Sequence, residues 1–290
     1  MKIGVIGNGF VGSAIAEGFK HYGDVKIYDL NPSRSPHSLK ETIRQDYIFV
    51  CLPTPMSEDK TGSCDLSYIN SFFDKLKDLK CQGTFIIKST VPIYTTSDLQ
   101  ARYSHLNILH SPEFLTARTA KIDFITPSRI IIGYPKNFYS PDDYVPQKCL
   151  DLFKNRFKGV NCFLTTSEES ELIKYVANCF FATKISFFNE MKLLSDKVKT
   201  NFDTILEGVL SDGRIAHSHH QVPGHDGKMG FGGDCFPKDL NALITIMRKN
   251  GISPNVLLGA RTTNISVREC DEVLINPLTT DISGCGHDYT

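Results

Sequence analysis

Near its start the chain carries the sequence Lys2-Ile3-Gly4-Val5-Ile6-Gly7-Asn8-Gly9-Phe10-Val11-Gly12. A helical pattern follows with Ala14, Ile15 and Phe19, and then a second apolar run, Val25-Lys26-Ile27-Tyr28, ends in Asp29. Only glycine allows both the tight turn and the close approach of a pyrophosphate, and the helix N-terminus faces the phosphates. The order strand, G-x-G-x-x-G, helix, strand and acid therefore predicts a dinucleotide-binding unit.

The acid at the end of the second run indicates which dinucleotide is bound. Asp29 lies 17 residues beyond Gly12, where a carboxylate can bind the ribose 2′-hydroxyl. An acid there would repel a 2′-phosphate, which favours NAD over NADP, although the nearby Arg34 argues the other way. We therefore predict NAD as the cofactor, held by Gly7–Gly12, Asp29 and Arg34.

Four more apolar runs predict strands at 47–51, 84–87, 107–109 and 129–132, and helical patterns lie around 66–79 and 94–103. Alternating strands and helices predict a doubly wound, Rossmann-type parallel sheet in an NAD-binding domain over residues 1–165. The carboxyl ends of parallel strands line the ligand crevice of such a sheet. The polar or turn-forming residues expected there are Pro53, Thr54, Ser89, Thr90 and Glu113, each of which could also serve only as a turn or cap residue.

After residue 165 the pattern becomes helical, which predicts an all-helical domain over 166–290. Residues 167–198 read as one long central helix, and shorter helices are expected near 201–210, 238–249 and 254–275. The apolar residues of the long helix, such as Val176, Phe180 and Leu194, cover more than one stripe, so we expect burial on several sides and pairing with a second copy.

Two polar residues stand out in the long helix. Lys174 and Asn178 are four residues apart and share a face. In so apolar a helix they either form an exposed strip or project into a site, where they need polar partners.

A second glycine-rich stretch is Met229-Gly230-Phe231-Gly232-Gly233-Asp234-Cys235-Phe236-Pro237-Lys238-Asp239. Pro237 suits the first turn of a helix, which places Cys235 just before its N-terminus. That position lowers the pKa of a thiol, and Lys238 adds positive charge, while Asp239 lies on the same side as the cysteine. We interpret Cys235 as a nucleophile approached over the glycines; the alternative is a glycine turn with a buried structural cysteine.

The loop before this stretch, residues 212–233, is long and rich in glycine and histidine. Its histidines are His217, His219, His220 and His225. Their spacing matches no common zinc pattern and no cysteine pair accompanies them, so we interpret them as surface residues and predict no metal site.

The composition restricts the class of protein. The 290 residues are 41% hydrophobic and 22% charged with a net charge of zero, which gives no indication of a nucleic-acid or membrane partner. The nine cysteines are scattered without a Cys-x-x-Cys pair, as in a reducing cytoplasm. The glycine turn comes too early for a signal peptide, so we expect a cytoplasmic protein.

Taken in order, several blocks resemble the UDP-glucose/GDP-mannose dehydrogenases over residues 1 to about 270. The blocks are the glycine turn at 7–12, Lys88-Ser89-Thr90-Val91-Pro92, Ser111-Pro112-Glu113-Phe114-Leu115, Pro127-Ser128-Arg129-Ile130, 174–178, Phe188-Asn189-Glu190 and 232–239. The resemblance implies an NAD-dependent, two-step oxidation of the 6-hydroxyl of a nucleotide sugar to a uronate, with a nucleotide sugar such as UDP-glucose as substrate.

The resemblance also implies roles for single residues. Cys235 would hold the aldehyde as a thiohemiacetal and then a thioester, and Lys174 and Asn178 would stabilise oxyanions. Asp239 and Thr90 would handle protons and water, and Glu113 would assist hydrolysis. Contacts to the cofactor are implied for Pro53, Thr54, Thr90 and Lys238, and contacts to the substrate for Phe114, Leu115, Lys174, Asn178, Phe231, Gly232 and Gly233. The long helix would form a homodimer.

The chain departs from the family pattern at three places. Ala117 stands where the family usually has a second glutamate, and the segment between Asp29 and the strand at 47–51 is short. The sequence ends at Thr290, where the family's third, nucleotide-sugar-binding domain would begin, so we expect that domain to be absent. Two alternatives follow: a catalytically weak NAD-binding dimerisation module or partial subunit completed by a partner, and a generic beta-hydroxyacid dehydrogenase, which needs no such cysteine.

Overall fold

The computed structural model describes residues 1–57 and 62–268. These residues form two compact units. The first unit consists of Met1–Thr54 and Asp65–Lys174, and the second contains the described residues of Pro55–Cys64 and Tyr175–Thr290. The division falls inside the long helix, whereas the domain limits expected from the sequence, 1–165 and 166–290, remain a prediction.

A seven-stranded sheet forms the centre of the first unit. Its strands are β1 (Lys2–Ile6), β2 (Asp24–Tyr28), β3 (Tyr47–Val50), β4 (Thr84–Ile87), β5 (Asn107–His110), β6 (Arg129–Tyr134) and β7 (Asn161–Thr166). Their spatial order is β2-β1-β3-β4-β5-β6-β7. The first five strands pair in parallel, so their carboxyl ends lie along one edge. This arrangement confirms the predicted α/β fold with a doubly wound sheet.

Two strands of the sheet, β6 and β7, run in the direction opposite to the other five. β6 is antiparallel to β5, with His110 opposite Gly133, and β7 is then parallel to β6. A parallel connection must carry the chain back across the sheet, usually through a helix of several turns. Between β5 and β6 the chain has only one short helix of six residues, so the next strand returns in the opposite direction.

The described helices surround this sheet and build the second unit. They are α1 (Phe10–Phe19), α2 (Leu39–Thr42), α3 (Ser67–Asp74), α4 (Thr95–Arg102), α5 (Ala120–Ile125), α6 (Tyr144–Arg156), α7 (Ser167–Lys197), α8 (Phe202–Leu210), α9 (Phe236–Lys249) and α10 (Asn255–Val267). The sequence analysis did not identify α6 or β7. The helix expected at 254–275 ends at Val267, and residues 269–275 of that prediction lie outside the described residues.

Two apolar clusters cover the two faces of the sheet. Phe49 packs into one cluster with Phe19 and Phe153. Ile48 and Val50, on either side of it in β3, belong to the other cluster. All four residues of β3 are buried, as are all four of β4. Because both faces are covered, these strands read as continuous apolar runs instead of alternating ones.

The long helix α7 confirms the predicted central helix but not its predicted burial on several sides. Within this single chain Val176, Phe180 and Leu194 are 53%, 63% and 55% exposed. Their spacing places them on one stripe of the helix, while Tyr175, Cys179 and Ala182 pack into the core of the second unit. In the part of the chain that the structure describes, none of the helices combines the length and apolar character that crossing a bilayer requires.

Candidate functional site

The glycine-rich turn joins β1 to α1. Gly7 has a φ of 90°, and a Cβ built on it would collide with the carbonyl oxygen of Cys51. A Cβ on Gly12 would collide with the carbonyl oxygen of Gly7. By contrast, nothing lies within 4 Å of a Cβ on Gly9, the residue that precedes α1. The chain's own packing requires two of the three glycines, and Gly9 adjoins open space at the helix N-terminus, where the pyrophosphate is predicted to lie.

Asp29 is fixed beside this turn by backbone groups. Its Oδ2 accepts a hydrogen bond from the Asn8 N–H at 2.6 Å, and its Oδ1 accepts one from the Asn31 N–H at 2.8 Å. Asn8 also donates through Nδ2 to the carbonyl oxygen of Arg34 at 2.8 Å. The acid predicted to bind a ribose is therefore joined directly to the turn predicted to bind the phosphates.

The other predicted cofactor-binding residues of the first unit surround the same edge of the sheet. Phe10 and Val11 form the first turn of α1, where Phe10 is exposed. Pro53 is exposed after β3. Thr54 Oγ1 donates to the carbonyl oxygen of Thr90 at 2.8 Å, which links the segments that follow β3 and β4. The strand order brings these residues to one edge, as the parallel sheet predicts.

Glu113 and Lys174 form a buried ion pair in the first unit. Lys174 Nζ donates to Glu113 Oε1 at 2.9 Å and to the Glu113 carbonyl oxygen at 2.7 Å. Glu113 Oε2 accepts from the Leu115 N–H at 2.6 Å. The two side chains are only 4% and 8% exposed, so each charge depends on the other for compensation. The sequence predicted a role for each residue but not this contact.

Lys88, directly after β4, is a second buried lysine that the sequence analysis quoted without assigning a role. Its Nζ donates to Ser111 Oγ and to the Pro112 carbonyl oxygen, both at 3.2 Å. Within the described residues it forms no ion pair with a carboxylate, in contrast to Lys174. Burial lowers the pKa of Lys88 to about 8, because the charged form loses its hydration.

A cavity of about 260 Å³ lies beside these charged groups in the first unit. Its lining includes Lys88, Glu113, Phe114, Asp123 and Arg129. The Arg129 guanidinium stacks over the Phe114 ring at 4.0 Å from the centroid. Charged and aromatic side chains together give this cavity the composition of a site for a polar small molecule.

In the second unit Cys235 immediately precedes α9. It is exposed, and its carbonyl oxygen accepts the first bond of the helix, from the Asp239 N–H at 2.9 Å. Pro237 lies in the first turn, as predicted. The N–H groups of that turn and the positive end of the helix dipole therefore lie next to the thiol, a position that favours an anion.

Asp239 organises a buried polar cluster one turn beyond the cysteine. Its Oδ1 accepts from Lys238 Nζ and its Oδ2 from Asn178 Nδ2, both at 2.6 Å. Asp239 is 1% exposed and Asn178 is 7% exposed. Burial disfavours the charge of Lys238, but the Asp239 carboxylate outweighs it and raises the pKa of that lysine. Lys238, which the resemblance implied for the cofactor, is thus held by Asp239.

The remaining residues that the resemblance implied for the substrate lie in both units. Phe114 and Leu115 are half-buried after Glu113 in the first unit. In the second unit Phe231 is buried, Gly232 is half-buried and Gly233 is exposed. A Cβ on Gly233 would meet nothing within 4 Å, so this glycine adjoins open space.

The histidine-rich loop lies between α8 and α9. His219 has a φ of 57° and its ring stacks on Phe181, with centroids 4.0 Å apart and planes at 11°. His217 and His225 are exposed, and His220 is half-buried. Within residues 1–57 and 62–268, no three histidine, cysteine or acidic side chains are grouped to hold a metal ion.

The chain is similar to known proteins over most of its length. Residues 34–140 match the NAD binding domain of the UDP-glucose/GDP-mannose dehydrogenase family, and residues 168–266 match the central domain of the same family. The first match covers β3 to β6 and confirms NAD as the predicted cofactor. The second covers Lys174, Asn178, Cys235 and Asp239.

Individual relatives agree with these matches. A UDP-glucose 6-dehydrogenase of Rickettsia prowazekii is 32% identical over 91% of this chain and 67% of its own length. An uncharacterized protein of Methanocaldococcus jannaschii is 32% identical over 82% of this chain and 30% of its own length. The chain thus spans between 30% and about two thirds of these curated relatives.

Solved structures show the same architecture. A UDP-glucose dehydrogenase from Pyrobaculum islandicum superposes with a TM-score of 0.78 at 28% identity, over 91% of this chain and 68% of that one. A 3-hydroxyisobutyrate dehydrogenase of Mycobacterium tuberculosis covers 96% of this chain with a TM-score of 0.68, but at 16% identity it supports the fold alone. From the two domain matches and the identity to the Rickettsia protein, we conclude that this chain belongs to the UDP-glucose/GDP-mannose dehydrogenase family.

Proposed function

We propose that the chain catalyses the NAD-dependent, four-electron oxidation of the 6-hydroxyl of a nucleotide sugar to a carboxylate, with UDP-glucose as the first candidate substrate. The observation that carries this proposal is the exposed Cys235 at the start of α9, one turn from the buried Asp239. A generic beta-hydroxyacid dehydrogenase has no need of a thiol at this position, whereas a two-step oxidation to an acid does.

The chemistry follows from what a thiol makes possible. The first oxidation removes a hydride and a proton from the alcohol and leaves an aldehyde. The remaining hydrogen of the aldehyde does not leave readily as hydride, because its carbon is trigonal. Cys235 Sγ adds to the aldehyde carbon, and the resulting thiohemiacetal again has a hydrogen that can leave as hydride, giving a thioester. Water then displaces the thiolate, and the products are the carboxylate and free Cys235.

Other residues of the chain support these steps in the proposal. Lys174 and Asn178, one turn apart on α7, stabilise negative charge on the sugar oxygen as it develops. Thr90 and Asp239 position water and transfer protons, and Glu113 assists the attack of water on the thioester. The buried contacts of Glu113 with Lys174, and of Asn178 with Asp239, support fixed orientations for these groups.

NAD, when bound, supplies the acceptor for one hydride in each of the two oxidations. Gly9 leaves room for the pyrophosphate, and Asp29 and Asn8 stand where the adenine-side ribose is expected. We propose the same region for contacts from Pro53, Thr54, Thr90 and Arg34. Calorimetric titration tests the cofactor choice: NAD should bind more tightly than NADP, and equal or tighter binding of NADP would contradict the role of Asp29.

An NADH assay with a panel of nucleotide sugars tests the activity. The wild type should release two NADH for each sugar converted, and Cys235→Ser should release at most one and form no acid, or stop as a stable ester on the serine. Cys81→Ser, which changes a half-buried cysteine of the first unit, is the matched control and should behave as the wild type. Acid formation by Cys235→Ser at the wild-type rate would refute the proposal. NAD binding without turnover of any sugar would favour a dimerisation module or partial subunit instead.

We also propose that α7 forms a homodimer. Its exposed apolar residues Val176, Phe180, Phe187, Leu194 and Val198 follow one another at intervals of four or seven. This spacing makes one continuous stripe, which is typical of a helix that packs against a partner helix. Phe180→Glu should yield a monomer in light scattering, while Phe138→Glu, at an exposed phenylalanine of the first unit, should not. A wild-type monomer at micromolar concentration would contradict the dimer.

A cytoplasmic location is the last part of the proposal. The nine cysteines of the chain are scattered, without a Cys-x-x-Cys pair. Cysteines scattered in this way are typical of a reducing compartment, where Cys235 would remain reduced. Fractionation of cells with an antibody to the protein would test this location.

A further inference from the structure

The turn Gly230–Gly233 is held from inside the second unit by side chains of two helices. Asn189 of α7 accepts the Gly230 N–H on its Oδ1 at 2.8 Å. Asn264 of α10 pairs with both backbone groups of Phe231: its Oδ1 accepts the N–H at 2.6 Å, and its Nδ2 donates to the carbonyl oxygen at 3.0 Å. Both asparagines are buried, with exposures of 1% and 0%.

Arg268, which follows α10, supports the same turn. Its Nη1 donates to the Met229 carbonyl oxygen at 3.2 Å, and its Nη2 donates to Asp226 Oδ2 at 2.6 Å. The guanidinium is 7% exposed and lies directly against Gly232. An arginine buried in this way fixes the backbone on which it rests, because its charge needs these acceptors.

The three glycine positions of the turn therefore differ in the reason why a side chain is absent. A Cβ on Gly230 would collide with the Asn264 side chain, and one on Gly232 would collide with the Arg268 guanidinium. Only Gly233 adjoins open space. The sequence analysis interpreted all three as room for a substrate, but the first two are glycine because the protein's own side chains occupy that space.

We propose that Asn189, Asn264 and Arg268 are positioning residues for Cys235. We call these three side chains the clamp. The clamp fixes the backbone of residues 229–232. This segment leads directly into Cys235, so its position determines where the thiol lies relative to the N-terminus of α9. The inference deepens the proposed function and rests on it for the role of Cys235 as nucleophile.

The clamp is distinct from the contacts that hold α7 to α10. Ser186 Oγ donates to the Ala260 carbonyl oxygen at 2.8 Å, and Thr263 Oγ1 donates to Glu190 Oε1 at 2.5 Å. These bonds join the same two helices without touching the glycine turn. A variant of Ser186 is thus a matched control, since it removes a buried bond between α7 and α10 but no bond to the turn.

The first test measures the reaction of Cys235 with iodoacetamide, followed by peptide mapping, which needs no substrate. At pH 7 Asn264→Ala should slow alkylation of Cys235 by about tenfold, because the thiol loses its fixed place at the helix N-terminus. At about pH 10, which lies above the ordinary pKa of an exposed thiol, the difference should disappear. Ser186→Ala should leave both rates as in the wild type. Equal slowing by both variants would show that only the packing of α7 on α10 matters and would overturn the proposal.

The second test is a double-mutant cycle between Gly232 and Arg268. Gly232→Ala should slow alkylation by about tenfold, because the new methyl group displaces the guanidinium. In the Arg268→Ala background that obstacle is gone, so adding Gly232→Ala should cause no further loss. Additive losses would show that Gly232 does not act through Arg268 and would contradict the clamp.

The proposed oxidation of nucleotide sugars and the role of the clamp can be contradicted independently of each other. If nucleotide sugars are oxidised, Asn264→Ala should lower kcat by up to about 10²-fold with the KM for NAD unchanged, because the reacting atom is displaced while the first unit is intact. If no sugar is oxidised but alkylation obeys both tests, the proposed function fails and the clamp stands. If sugars are oxidised and Asn264→Ala has the wild-type kcat and alkylation rate, the clamp is wrong and the proposed function stands.

Discussion

The sheet edge of the first unit and the start of α9 in the second unit assemble their polar groups by different means. At the sheet edge, Thr54, Thr90 and Glu113 follow parallel or adjacent strands, so the strand order alone places them together. At α9, Asp239 and the glycine turn are held by side chains that come from residues 178 to 268 of the chain. The strand order brings the first group of residues together before any side-chain bond forms, whereas the second group depends on side-chain bonds alone. The first region also contains a buried ion pair, so we expect its stability to fall most when one charge loses its partner. In the second region we expect smaller losses of stability when single contacts are removed.

The largest effect is expected at the ion pair of the sheet edge. Lys174→Met leaves the Glu113 carboxylate buried without its cation, which should lower the free energy of unfolding by ~3–5 kcal/mol. Calorimetry or urea unfolding at neutral pH measures this loss. The double variant Lys174→Met/Glu113→Gln should recover most of it, because Gln still accepts the Leu115 N–H without an uncompensated charge. A double variant as unstable as the single one would show that the loss comes from packing.

Replacing Lys88 should not destabilise the protein as replacing Lys174 does. Lys88 is buried without a carboxylate partner among the described residues. Burial lowers its pKa from the ordinary 10.5 to about 8. Between these values the unfolded chain binds more protons than the folded one, so this group makes stability rise with pH from about 8 to 10.5. Lys88→Met should remove that rise and should be as stable as the wild type at pH 7, or more stable by up to about 3 kcal/mol.

Unfolding of both proteins across this pH range is the measurement, and the difference between them isolates Lys88 from other titrating groups. If Lys88→Met is clearly less stable at pH 7, the bonds to Ser111 and Pro112 outweigh the cost of burying the charge. The contrast between the two lysines would then disappear.

The sequence predicted the two regions unequally for the same physical reason. Glycine spacing, strand ends and the acid at Asp29 are local patterns, so they identified the sheet and led to the prediction of a cofactor site at its edge. Pro237 likewise placed Cys235 at a helix start. The antiparallel β6 was missed because its direction depends on the length of the preceding connection. Asn264 and Arg268 were missed because no local pattern links them to a turn more than 30 residues earlier; an asparagine in an otherwise packed helix was the only signal.

A smaller loss is expected where one contact is removed in the second unit. Asn178→Ala leaves Asp239 Oδ2 without the bond that it accepts at 2.6 Å, which should cost ~1–3 kcal/mol of unfolding free energy. Thr183→Ala is a suitable control, since among the described residues Thr183 Oγ1 bonds only to the carbonyl oxygen of Cys179 on its own helix. Equal losses in both variants, measured by urea unfolding, would mean that helix packing and not the carboxylate determines the effect.

The smallest effect is expected in the histidine-rich loop, where the ring of His219 stacks on Phe181. His219→Asn removes the ring that stacks on Phe181 but tolerates the positive φ, so it should cost ~0.5–1.5 kcal/mol at pH 7. Although His219 as a whole residue is exposed, partial desolvation of its ring and then the charges of Lys184 and His220 lower its pKa. The unfolded chain therefore binds a proton more readily, and the contribution of the neutral ring is present above the ordinary pKa of 6.5 and lost as the pH falls through it.

The stability difference between wild type and His219→Asn should accordingly shrink between about pH 7 and pH 5. His225→Asn, at an exposed histidine of the same loop, is the control and should match the wild type at both pH values. A difference that stays constant with pH would show that the stack does not depend on the neutral form of His219. A constant cost above ~3 kcal/mol would show instead that one contact of the second unit can matter as much as the buried charges of the first.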